Sequence, residues 1–126
     1  AMVNSGLLPE TEDASKITTE EVSKGLGGVE ISEQSNVSKV LAAVTESSCE
    51  VGTTYYSDTY GFEDKVVILE KIPYELTGNV IYPIAQVQND EADDVERAAA
   101  LDFIEFVTSD DAKTVFQHYY FDTNVE

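Results

Sequence analysis

Histidine and cysteine occur once each in this chain, so a metal site built on those two residue types is excluded. Cys49, being alone, cannot form an internal disulfide and fixes no redox compartment. Basic residues are also scarce: seven Lys and Arg stand against 25 Asp and Glu, for a net charge of −18. Nucleic-acid binding needs cations to neutralise phosphates, so that balance excludes it. It also disfavours anionic membrane surfaces. No apolar run is long enough to cross a bilayer, and no basic-then-apolar signal segment opens the chain. There is no GxGxxG and no phosphate loop with its lysine. Carboxylates cluster in "NDEADDVE", but without the spacing and central glycine of a calcium loop. That cluster reads as the start of a helix.

What is present fits one domain. The chain has 126 residues, 42% of them hydrophobic, and most of these follow Val29. Residues 1–12 read as a tag or a disordered terminus, since they are polar and weakly patterned. Ala1-Met2 reads as a cloning remnant, in which case any targeting sequence would lie out of sight. Residues 13–126 read as a single domain.

Hydrophobic periodicity assigns the elements. "TTEEVSKGL" is a short helix, with Thr18 or Thr19 as its cap and Gly25 or Gly27 as its stop. "GVEIS" alternates like a strand. "SNVSKVLAAV" is the clearest helix, expected near 36–46: Val37, Val40, Leu41 and Val44 form one stripe, and Ser35 and Asn36 are both good caps. Strands are expected at Val51–Ser57, Val66–Leu69 and Val80–Val87, where β-branched and aromatic residues gather. Pro83 puts the last of these at an edge or a bulge. Two helices close the chain, near 93–108 and 109–119. The first carries Val95, Ala99, Phe103, Phe106 and Val107 on one arc. The second carries Ala112, Val115, Phe116 and Tyr119. Helix, strand, helix, three strands and two helices make an α/β pattern with a mixed sheet flanked by helices.

Catalytic constellations are sparse. A hydrolase would have to rest on His118 and Cys49, and both read better as ordinary packed or surface side chains, so an enzyme is not expected. The chemistry that remains is anion binding. A helix start exposes unpaired N–H groups and the positive end of a dipole. With Asn36 as cap, Val37 offers such an N–H. The stretch "EVGTTYYSDTYG" follows by a short turn, and Tyr55 brings a neutral phenol donor to the same neighbourhood. Neutral donors suit an oxyanion that must be held and then released.

"NVSKVLAAVTESSCEVGTTYYSDT", then "KVVILEKIP" and "NVIYPIAQV", then "AALDFIEFVTSDDAKTVFQHYYF" resemble the later half of the periplasmic molybdate-binding proteins. These are the ligand-capturing subunits of molybdate ABC importers, with a type II periplasmic-binding-protein fold. The resemblance spans roughly residues 29–124. It implies a ligand N–H at Val37 and a ligand hydroxyl at Tyr55, with Asn36 and Asp58 supporting them. It implies molybdate or tungstate as ligand, with no cofactor and no bound metal other than the oxyanion itself. It further implies an importer permease as partner and an extracytoplasmic location. Ser57 stands where the family commonly has Thr, and Tyr120 stands where its closing helix has Gly.

The family's two serine ligands come from a first lobe, and nothing in residues 1–28 matches those segments. The chain is therefore expected to be the second lobe plus a C-terminal helix pair, residues 91–126, that would pack on the missing lobe. Those helices are expected to fold back onto the sheet or to form a homodimer. The alternatives are a binding protein for another small anion, such as sulfate or an organic acid, and a ligand-free interaction domain of the same fold.

Overall fold

The computed structural model describes residues 1–124. Its elements are helical: α1 (Thr19–Gly25), α2 (Val37–Thr45), α3 (Tyr74–Thr77), α4 (Asp94–Val107) and α5 (Asp110–His118), with 3₁₀ turns at Ala14–Lys16 and Tyr56–Thr59. The chain divides into two compact units, Ala1–Val80 and Ile81–Glu126.

Each longer helix begins on a side-chain cap. Thr18 accepts from the Glu21 N–H, and the Glu21 carboxylate accepts from the Thr18 N–H, closing a capping box at α1. Asp93 and Glu96 repeat that box at α4. Asn36 accepts from Lys39 at α2, and Ser109 accepts from Ala112 at α5.

Three of these helices also end alike. Gly28 N–H donates to the Ser23 carbonyl at 2.8 Å, Ser48 N–H to Ala43 at 2.8 Å, and Phe121 N–H to Phe116 at 3.1 Å. The residue just before each donor is left-handed: Gly27 at φ +81°, Ser47 at φ +61° and Tyr120 at φ +66°. This is the Schellman closure, which normally takes glycine at that position. Serine and tyrosine hold it in two of the three places, against the steric cost of a Cβ there.

In the first unit, Leu8 is buried over α1. A Cβ placed on Gly25 would fall 2.6 Å from its Cδ2, so the missing side chain is what lets Leu8 seat. Asn4 donates to the Leu76 carbonyl of α3 at 2.8 Å. The α2 stripe turns inward as its spacing predicts, with Leu41 buried and Val37, Val40 and Val44 half-buried. In the second unit, α4 packs against α5. Phe121 meets both Tyr82 and Phe116 edge to face, at centroid separations of 6.0 Å. Gln86 donates to the Arg97 carbonyl at 3.1 Å.

The expected mixed sheet is absent. Among the described residues there is no strand, neither at Val51–Ser57, Val66–Leu69 and Val80–Val87 nor in "GVEIS". The fold class is therefore helical with long irregular connections, not α/β. The physical reason is that a strand is only half of an interaction. β-branched side chains favour a pleated surface because neighbours cover them, and here no ladder forms to supply the neighbours. Val67 and Val87 remain 82% and 83% exposed. At Tyr56–Thr59 local bonding prevails: the Thr59 hydroxyl donates to the Tyr56 carbonyl at 2.7 Å, and Thr59 is buried.

Candidate functional site

The site region lies within the first unit and is built on α2. Asn36 has an extended backbone, and its side chain takes the Lys39 N–H at 3.0 Å. Lys39 and Val40 both donate to the Asn36 carbonyl. The two amides before them, on Val37 and Ser38, have no acceptor among the described residues. They carry the positive end of the helix dipole. Val37 is thus the first helical residue, with the open N–H that the sequence called for.

The segment after α2 returns along its flank. Gly52 sits so close to the helix that a Cβ there would lie 2.7 Å from Val40 Cγ1 and 3.0 Å from Val44 Cγ2. The chain then runs to Tyr55, which precedes the 3₁₀ turn and is 49% exposed. Asp58, within that turn, accepts from the Thr54 hydroxyl at 3.0 Å, a bond that spans residues 55–57. The Lys71 ammonium lies over the Tyr56 ring, 3.4 Å from its centroid. That contact is short enough for a cation–π attraction.

Asp58 also lines a cavity of about 220 Å³ with Ser38, Leu41, Ala42, Thr45 and Phe62. The structure therefore joins Asp58 to the flank of α2, whereas Asn36 and Val37 stand at the end of that helix. Tyr55 belongs to the segment that Gly52 docks. The cavity residues Ser38 and Thr45 escaped the sequence reading, although their signal was there. With Leu41 and Ala42 they repeat at three, four and seven residues along α2. Phe62 had no such signal, because its place depends on how the turn after Asp58 closes.

Cys49 is half-buried just beyond α2. His118 ends α5 in the other unit, its ring edge-on to Tyr119 at 5.2 Å. No group of three or more His, Cys, Asp or Glu that could hold a metal ion occurs among the described residues.

The start of α2 thus carries two open amides, and Tyr55 lies three residues beyond the glycine that docks on the same helix. The chain belongs to the family of bacterial extracellular solute-binding proteins, which matches residues 11–122. That description puts its members outside the cytoplasm and gives them a solute as partner. No curated protein and no solved structure matches the chain.

Proposed function

We propose that the solute is a small oxyanion, with molybdate or tungstate foremost, and that the chain captures it for an ABC importer. The carrying observation is the pair of unpartnered amides at Val37 and Ser38, held open by the Asn36 cap. Tyr55 adds a hydroxyl from the segment packed on the same helix. Asn36 and Asp58 touch the protein rather than the ligand: one fixes the helix start, the other the turn that carries Tyr55. Capture is by neutral donors alone, with no chemical step, and the permease receives the released anion.

The donors set the strength. A neutral hydrogen bond to a charged group contributes roughly 1.5–3 kcal/mol. Two or three of them, offset by about 4 kcal/mol or more for association, leave affinity on the order of millimolar or weaker. The charge of −18 weakens it further at low salt.

Calorimetric titration with sodium molybdate, tungstate and sulfate tests the reading. Molybdate and tungstate should bind alike, since both are tetrahedral dianions of nearly equal size, and Tyr55→Phe should weaken both. Sulfate binding more tightly than molybdate would move the assignment to another anion. Absence of heat with all three salts would remove the oxyanion reading.

A further inference from the structure

We draw no further inference here: the strongest candidate, the cavity of about 220 Å³ between the flank of α2 and the turn at Asp58 and Phe62, belongs to the site already described, and the carboxylate of Asp58, its one charged group, already accepts from the Thr54 hydroxyl.

Discussion

The Phe121 N–H donates to the Phe116 carbonyl at 3.1 Å, and the two rings meet edge to face with centroids 6.0 Å apart. Backbone and side chains thus close the end of α5 together, and both require Tyr120 between them to be left-handed, at φ +66°. A Cβ in that region costs roughly 1–2 kcal/mol. Glycine avoids the cost but also loses the tyrosine ring. Alanine loses the ring and keeps the strain. Tyr120→Gly should therefore be more stable than Tyr120→Ala by about 1 kcal/mol, several degrees of Tm in thermal melts. Equal stability of the two variants would mean that the left-handed turn opens in solution.

Gly52 lets the segment after α2 press closely on that helix. A methyl there would meet Val40 Cγ1 at 2.7 Å and Val44 Cγ2 at 3.0 Å. Helical valines have one favoured χ1 and cannot swing aside freely. Gly52→Ala should therefore destabilise the unit by about 1–3 kcal/mol, and Val40→Ala in the same chain should recover part of that loss. Denaturant titrations of the single and double variants measure the coupling. If Gly52→Ala is neutral, the segment leading to Tyr55 is not docked on α2.

The helices were legible because their instructions are local. The expected spans 36–46, 93–108 and 109–119 appear as Val37–Thr45, Asp94–Val107 and Asp110–His118, each bounded by a cap that lies within four residues of its partner. The expected strands did not form among the described residues, because "VVIL" and "NVIYPIAQV" state a preference and not a partner. Pairing is decided elsewhere in the chain, and here no ladder is made. The candidate site divides in the same way. Asn36 and Val37 follow from capping alone. The approach of Gly52 to Val40, the cavity at Asp58 and the position of Lys71 over Tyr56 depend on contacts that no local pattern encodes. Tyr120 is an intermediate case. A bulky residue at a glycine position was visible in the sequence, but its retention of the glycine conformation was not.

Acid should loosen α1 later than an ordinary glutamate would allow. The Thr18 N–H and then the Thr18 hydroxyl hold the Glu21 carboxyl below its usual 4.5, although desolvation pulls slightly the other way. A carboxylate whose folded pKa is lowered contributes stability that is fully present above its unfolded pKa. That contribution fades as pH falls through the folded value. The capping box should thus be intact at neutral pH and weaken only below about 4.3, the unperturbed glutamate range. In an NMR titration the Thr18 amide should follow the Glu21 carboxyl, with a midpoint under that range. Glu21→Gln should remove the transition. A midpoint at or above the ordinary value would show that the box is not populated.

Added salt should stabilise the protein. Among the described residues the ion pairs are Lys16–Asp13, Arg97–Asp94 and Lys113–Asp110, each three residues apart on an exposed helix or turn. Pairs of that kind contribute roughly 0–1 kcal/mol, so screening them loses little. The repulsion among 25 acidic residues, against only seven basic ones, is the larger quantity, and it opposes the compact state. Raising the ionic strength shrinks the Debye length from about 30 Å at 0.01 M to about 3 Å at 1 M. Melting temperature should then climb by on the order of 5 °C, as for a gain of about 1 kcal/mol in a small domain. Sulfate also strengthens apolar burial by exclusion from the surface, whereas screening depends on ionic strength alone. Sodium chloride and sodium sulfate matched in ionic strength separate the two effects. Coincident melting curves would assign the gain to relief of repulsion. A sulfate curve well above the chloride curve would assign the excess to burial or to sulfate held as a ligand, and a fall in Tm with chloride would mean that the ion pairs outweigh the repulsion.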